Sequence, residues 1–122
     1  MKRHESGQHG ERLAAEFLRQ RGLPIIAANY RCPHGEIDII ARDGDCLVFV
    51  EVRTRQYLGF GHPEESITAS KKERLIATSW HYLQSQDMPA TDWRIDLVAI
   101  ELGEDGGCVR IELIQNAVSD GD

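Results

Sequence analysis

Gly35-Glu36-Ile37-Asp38-Ile39-Ile40 and Leu47-Val48-Phe49-Val50-Glu51-Val52-Arg53 decide the fold of this chain, and Asp43-Gly44 lies between them. Asp-Gly between two alternating apolar runs is the strongest short-range signal for a β-hairpin. Both runs are apolar and β-branched, yet carboxylates interrupt each of them. A carboxylate in a sheet core is costly unless a cation or hydrogen bonds compensate its charge. The pattern therefore predicts a hairpin that carries a divalent-metal site.

The pairing across this hairpin predicts which side chains share a face of the sheet. With Asp43-Gly44 as a two-residue loop, Asp38 and Glu51 are diagonal neighbours, roughly 7–8 Å apart at the backbone. Because faces alternate with period 2, we expect two faces with different composition. One carries Ile40, Leu47, Phe49, Glu36, Asp38, Glu51 and Arg53, and the other carries Ile37, Ile39, Val48, Val50 and Val52. Asp38 and Glu51 can then share one Mg²⁺.

The rest of the chain predicts one globular domain over residues 1–122, since 41% of residues are hydrophobic and 28% are charged. The longest apolar stretches have the length of strands, so no membrane span is expected. The first residues are polar and do not form an apolar signal core, which predicts a cytoplasmic protein. The three cysteines form no paired framework, and we expect them to be reduced and mostly buried.

Hydrophobic periodicity predicts seven elements along the chain. They are a helix over 5–21, strands over 24–31, 36–42 and 45–54, a helix over 69–86, and strands over 93–101 and 108–114. The tail over 116–122 is expected to be frayed. The order α-β-β-β-α-β-β predicts an α/β fold with a mixed central sheet of about five strands flanked by helices. The loop over 55–67, with Gly59-Phe60-Gly61 inside it, is long enough to be a lid or to contact substrate.

Charged residues of both predicted helices have a functional and an ordinary explanation. Glu11 lies at the edge of the first helix's apolar stripe and can face the sheet, or it can face solvent. Lys71 and Lys72 fall in the first turn of the second helix, where the helix dipole disfavours cations. A nearby anion explains them better than helix stability does, and a solvated pair is the alternative. Ser70-x-x-Glu73 predicts a capping box for this helix.

The net charge of −6 argues against a nucleic-acid partner, but its distribution weakens that argument. Residues 101–122 hold six acids and one base, so residues 1–100 carry only −1. The basic residues that can lie together are Arg12, Arg31, Arg53, Arg55, Lys71, Lys72 and Arg74. Such a cluster would bind phosphate in a salt-dependent manner. An ordinary solvated surface is the alternative.

A series of short segments runs in order along nearly the whole chain. They are Gly10-Glu11-x-x-Ala14-Ala15, Asn29-Tyr30-Arg31, Gly35-Glu36-Ile37-Asp38-Ile39-Ile40-Ala41, Val48-Phe49-Val50-Glu51-Val52-Arg53-Thr54-Arg55, Gly61-His62-Pro63-Glu64, Thr68-x-x-Lys71 and Arg94-Ile95-Asp96-Leu97-Val98. Together they resemble the YraN-like family of bacterial proteins, within the PD-(D/E)-x-K nucleases of restriction-endonuclease-like fold. The glutamate on the first helix is a feature shared with archaeal Holliday junction resolvases.

This resemblance implies a metal-dependent endonuclease that acts on structured or branched DNA. It implies Asp38 and Glu51 as ligands of Mg²⁺ or Mn²⁺, with Glu11 as a third acidic contributor, direct or through water. Arg53 occupies the lysine position of the motif, and Lys71 matches the family's helix-two lysine. The implied DNA contacts are Arg31, Arg53, Arg55, Lys71 and Lys72. By analogy with cutters of branched DNA, a homodimer is expected.

Two departures from the motif leave other functions open. Ile37 replaces the proline of the motif name, and Arg53 replaces a lysine. Arginine cannot serve as a base, so slower chemistry, or binding without cleavage, is expected. The rival functions are a non-catalytic DNA-binding module and a protein–protein adaptor.

Three further groups of residues are expected to be structural. Cys32 and His34 lack two more ligands at zinc spacing. Asp96 interrupts an apolar strand and is expected to pair with Arg94 or Arg31. The two tryptophans, Trp80 and Trp93, are expected in the core, and the buried stripe of the second helix comprises Leu75, Ile76, Ser79, Trp80 and Leu83.

Overall fold

The computed structural model describes residues 3–57, 61–87 and 91–119, with side chains from residue 7 onward. Its elements are α1 Arg3–Gln20, β1 Ile25–Cys32, β2 Gly35–Asp43, β3 Cys46–Gln56, the 3₁₀-helix η1 Pro63–Ser66, α2 Ala69–Ser85, β4 Trp93–Leu102 and β5 Cys108–Val118. This order confirms the predicted α/β class. The tail does not fray at residue 116, because β5 continues to Val118, which is buried and pairs with Ile95. Residues 120–122 lie outside the described ranges.

The five strands form one mixed sheet in the order β1-β2-β3-β4-β5. Only β3 and β4 run parallel, and η1 and α2 supply the long crossover that a parallel pair needs. The helix α1 packs on one face, where Ala14 and Leu18 meet Val50. The helix α2 packs on the other face, where Leu75 meets Phe49. Of the described helices, none has the length and apolar character needed to cross a membrane.

The hairpin of β2 and β3 turns one residue later than predicted, at Gly44-Asp45. Relative to the predicted pairing, both strands have moved by one residue about the turn. A residue of β2 therefore still shares its face with the same residues of β3. The last pair of this ladder joins Ile39 to Val50. Its register consequently sets Asp38 opposite Glu51, rather than diagonal to it.

The alternation of side chains along β2 breaks at Asp38. Ile39 packs in the core under α1, whereas Ile37 and Ile40 both pack in the core under α2. Strict alternation placed Ile37 and Ile39 on one face, so that prediction is wrong for Ile37. The break leaves Asp38 between the two cores, where its side chain need not enter either one.

Other side-chain predictions failed where local pattern could not anticipate packing. Trp80 is 40% exposed and meets Trp93 edge-on instead of entering the core. Of the three free cysteines, Cys108 is exposed and the other two are only half-buried. The predicted loop over 55–67 is partly structured by the end of β3 and by η1. Leu58, Gly59 and Phe60, which include most of the predicted lid, lie outside the described residues.

Gly10 allows α1 to cross β3 at close range. A Cβ atom on Gly10 would lie 2.2 Å from Thr54 Oγ1, well inside van der Waals contact. We expect Gly10→Ala to destabilise the protein by about 1–3 kcal/mol through overpacking, although alanine is normally the better helix residue. Thermal unfolding measures the loss. Gly10→Ala combined with Thr54→Ala should recover it, and a Gly10→Ala protein as stable as the parent would contradict the steric explanation.

Candidate metal and phosphate site

The candidate site lies where β2 and β3 separate. Their ladder ends at Ile39 and Val50, while β3 continues beside β4 to the end of both strands. Asp38 and Glu51 are the first residues beyond the ladder. Asp38 Oδ2 accepts a hydrogen bond from the backbone N–H of Val52 at 2.8 Å, so the Asp38 side chain reaches across the opening towards β3. The separation thus creates a wedge that two acidic side chains enter from opposite strands.

Asp38 and Glu51 form a carboxylate pair at the apex of this wedge. Glu51 is only 4% exposed. Burial raises the pKa of Glu51 to about 8, and the charge of Asp38 and a hydrogen bond with it act in the same direction. Two acids this close cannot both be charged without compensation. They can hold a shared proton or exchange it for a divalent cation, because metal binding displaces protons from its ligands.

Two cations from different elements lie beside one carboxylate oxygen of Glu51. Arg53 Nε lies 3.3 Å from Glu51 Oε2, and Lys71 Nζ lies 3.5 Å from the same oxygen. The Arg53 N–H is not aligned for a hydrogen bond, and within the described residues Nε is a buried donor with no hydrogen-bond partner. The short distance therefore represents an ion pair without the directional bond. Both cations favour the charged form of Glu51, but burial and Asp38 outweigh them.

Lys71 reaches Glu51 because of where α2 begins. Thr68 is the N-cap, and its Oγ1 accepts the N–H of Lys71 at 3.1 Å. The predicted capping box at Ser70 is wrong by two residues, although a Thr before the helix is itself a good cap signal. The anion expected beside this lysine is the Glu51 carboxylate. Lys72 is exposed.

Glu11 approaches the pair from α1. It is half-buried in a groove of about 620 Å³ between α1 and the first two strands, and Arg12 and Asp38 line the same groove. Burial and, next, the charge of Asp38 raise the pKa of Glu11, while a hydrogen bond from the Asn29 side chain acts to lower it. Glu11 therefore lies in the groove close enough to Asp38 to interact with its charge. The sequence analysis did not identify Asn29 as part of the site. The only sign of it was an asparagine, which is rare in strands, in the middle of a predicted strand.

The geometry fits a divalent cation held mainly by two carboxylates. In the parts of the chain that the structure describes, no three carboxylate, imidazole or thiol side chains converge as a ready-made metal centre. Mg²⁺ is usually held by one or two carboxylates and keeps several waters. Asp38 and Glu51 can supply those two ligands, since their carboxyl groups interact with each other where β2 and β3 separate. Glu11 fits as a contributor through water.

The other predicted basic residues surround the site without entering it. Arg31 Nε lies 3.3 Å from Glu36 Oε2, and the arginine side chain is 77% exposed. Arg55 and Lys72 are exposed. Arg12 reaches the site only as a wall of the groove beside Glu11. These basic residues are therefore distributed over both helices, the edge strand β1 and the central strand β3.

Asp96 is structural, as predicted, and its partner is Arg94. Arg94 Nε donates to both Asp96 oxygens, at 3.1 and 3.0 Å, and the backbone N–H of Asn116 donates to Asp96 Oδ1 at 3.0 Å. These bonds join β4 to β5 away from the acidic pair. Asp96 therefore satisfies backbone and guanidinium groups inside the sheet.

A polar network beside η1 was not anticipated from the sequence. Arg110 donates to Glu64 at 2.8 Å, lies 3.4 Å from Glu101 and also contacts Glu112. The hydrogen bond from Arg110 lowers the pKa of Glu64. Glu101 is buried and also lies 3.4 Å from His62 Nδ1. The network anchors η1 to the sheet immediately before α2. The only sign of it in the sequence was Glu101, an acidic residue at the end of an apolar strand.

Comparison with known proteins gives a consistent family. Residues 10–100 match the sequence profile of the Uncharacterised protein family UPF0102. The chain is 46% identical over 118 residues to a UPF0102 protein of Dehalococcoides mccartyi, covering 97% of this chain and 96% of that protein. It is 49% identical over 121 residues to a UPF0102 protein of Roseiflexus castenholzii, covering 98% and 97%. A UPF0102 protein of Chloroflexus aurantiacus is 52% identical over 95 residues, covering 77% of each chain.

Proposed function

Since the chain belongs to the uncharacterised protein family UPF0102, as its YraN-like resemblance predicted, we propose its activity from the acidic site itself: a Mg²⁺- or Mn²⁺-dependent endonuclease acting on structured or branched DNA. The observation that carries this proposal is the Asp38–Glu51 pair at the apex of the wedge, in which Glu51 is buried and Asp38 is half-buried. Burial, and next the charge of Asp38, raises the pKa of Glu51 to about 8 although Arg53 and Lys71 lie beside it. Acidic groups whose pKa values are perturbed in this way are typical of functional sites.

Each residue of the site has a role in phosphodiester cleavage under this proposal. When bound, Mg²⁺ or Mn²⁺ polarises the scissile phosphate and makes water more acidic. Asp38 and Glu51 hold the ion, and Glu11 contributes through water. Lys71 and Arg53 lie beside Glu51, where cations stabilise the negative charge that develops on the phosphate. Arg53 cannot accept a proton, so Lys71 is better suited to orient the attacking water.

Basic residues near the acidic site support DNA as the substrate. Arg31, Arg53, Arg55, Lys71 and Lys72 are the proposed contacts to the DNA backbone. Their phosphate contacts make binding weaken with added salt. Cutting two strands of a junction requires two sites, so a homodimer is part of the proposal.

The direct test is cleavage of matched DNA substrates. Purified protein is incubated with a four-way junction, a linear duplex and a single strand of the same sequence, in Mn²⁺ or in EDTA. Products that need Mn²⁺ and form preferentially from the junction support the proposal. A gel shift of the junction without product favours the non-catalytic DNA-binding module. Neither product nor shift favours the adaptor and contradicts both nucleic-acid functions.

The two cations beside Glu51 should differ in their effect on the rate. We expect Lys71→Gln to lower the Mn²⁺-dependent cleavage rate roughly 10²-fold, the size typical of losing one positioned proton-transfer or charge-stabilising group. Arg53→Gln should cost less if Lys71 orients the water. Arg21→Gln is the matched control, because Arg21 stacks on Phe17 at the far end of α1. Single-turnover kinetics measure all three, and a larger loss in Arg53→Gln would reverse the assignment.

A further inference from the structure

Asn29 has a backbone conformation that a strand does not normally contain. It lies inside β1, yet its φ is +53°. L-residues avoid this region because Cβ crowds the carbonyl oxygen, and asparagine is among the few side chains that tolerate it. Such conformations persist only where surrounding structure imposes them, and they cluster at functional sites. The cause here should therefore be sought in the neighbours of Asn29.

The neighbour across the ladder is Asp38. The pairs Ala28–Ile39 and Tyr30–Ile37 enclose this position, so Asn29 lies opposite Asp38. Asp38 is also the residue at which β2 changes faces and leaves β3. Asn29 and Asp38, which lie opposite each other on neighbouring strands, therefore both depart from regular sheet geometry. The two departures together free one side chain of each strand to reach the acidic site.

Asn29 acts on Glu11, which lies with Ala28 and Asp38 along the groove between α1 and the first two strands. The side-chain amide of Asn29 lowers the pKa of Glu11 as a hydrogen-bonding partner, whereas burial and the charge of Asp38 raise it. Asn29 itself is exposed, so water could replace its amide if Glu11 needed only a hydrogen-bond donor. An amide on a constrained backbone differs from water because it fixes the direction of the carboxylate.

We propose that Asn29 is a positioning residue, whose left-handed backbone aims its amide so that the Glu11 carboxylate is held towards Asp38 and completes the ion site. The inference rests on the metal site proposed above. Partners that hydrogen-bond a metal-ligating or metal-facing group usually contribute 10- to 100-fold to metal affinity, as a rough rule. Glycine adopts a positive φ without strain. Asn29→Gly therefore removes the amide while preserving the backbone.

The experiment is calorimetric titration of Mn²⁺ into the parent protein and its variants. Asn29→Gly should raise the Kd for Mn²⁺ about tenfold or more. Glu11→Gln should raise it at least as far, and the double variant should bind no more weakly than Glu11→Gln alone, because the two residues act as one unit. Thermal unfolding in EDTA should show Asn29→Gly to be at least as stable as the parent.

Asn116 provides a matched control elsewhere in the sheet. It has φ +52° and lies in β5. Asn116→Gly therefore removes the same unfavourable positive φ of a non-glycine residue, but at a position outside the acidic site. Its Mn²⁺ affinity should equal that of the parent. Equal affinity in Asn29→Gly and the parent would overturn this inference and leave the metal site standing. Equal losses in both asparagine variants would assign the effect to the backbone and overturn it too. Failure of the parent protein to bind Mn²⁺ would overturn the proposed function and the inference together.

Discussion

Asp38→Asn is expected to abolish measurable Mn²⁺ binding and to lower Mn²⁺-dependent cleavage by more than about 100-fold, while the protein stays folded. Loss of a partner behind a metal ligand already costs roughly 10- to 100-fold, so loss of a ligand should cost more. The fold survives because an asparagine oxygen can still accept the Val52 N–H that Asp38 accepts at 2.8 Å. Calorimetry with Mn²⁺, junction cleavage and circular dichroism measure the three consequences.

Two companion variants separate ligand loss from structural damage. Asp45→Asn changes an exposed carboxylate in the turn of the same hairpin, and it should leave binding, cleavage and stability unchanged. Asp38→Ala removes the acceptor of the Val52 N–H and should cost about 1–3 kcal/mol of stability in addition. If Asp38→Asn binds Mn²⁺ as tightly as Asp45→Asn, Asp38 is not a ligand and the nuclease proposal fails.

The second large effect concerns the pH dependence of stability in the metal-free protein. The pKa of Glu51 rises from its ordinary value of 4.5 to about 8 on folding, chiefly through burial and then through Asp38. The folded state therefore binds the extra proton between these two values, and the free energy of unfolding falls as pH rises through that window. Below about 4.5 both states are protonated, and above about 8 neither is. The fall attributable to Glu51 is on the order of 5 kcal/mol.

Urea unfolding in EDTA at several pH values between 5 and 9 measures this fall. Other groups also titrate in this range, so the informative quantity is the difference between the parent and Glu51→Gln. Glu51→Gln should gain stability relative to the parent as pH rises. Glu16→Gln changes an exposed position on α1, and its free energy of unfolding should follow that of the parent at every pH. Adding Mg²⁺ should reduce the fall in the parent, because an ion that binds the folded state stabilises it. Parallel curves for Glu51→Gln and the parent would contradict the buried, proton-sharing pair.

The pairing of Asp38 with Glu51 across the hairpin was predictable because the parity of the register decides which strand positions share a face. The hairpin turn lies one residue later than expected, yet a shift of one residue in each strand keeps the same side chains together. A shift in only one strand would have separated them. The Asp-Gly signal located the hairpin closely enough, and the carboxylates inside apolar runs marked the site because burial penalises charge.

The contributions of the two helices were only partly predictable. The helical stripe placed Glu11 at an edge that could face sheet or solvent, and the close crossing allowed by Gly10 brings that edge to the sheet. Lys71 was expected near an anion of unknown origin, and the packing of α2 shows that the anion is Glu51. Asn29 carried no local signal beyond its poor strand propensity.

What the sequence determined by itself was the order of elements, the mixed α/β sheet and the meeting of two acids in one hairpin. These follow from periodicity and turn chemistry, which act over a few residues. Only the tertiary structure decided that β2 changes faces at Asp38, that Asn29 adopts a left-handed backbone opposite it, and that Glu11 and Lys71 approach from opposite helices. Those features depend on which surfaces pack together across the chain, and no local pattern of residues encodes that choice.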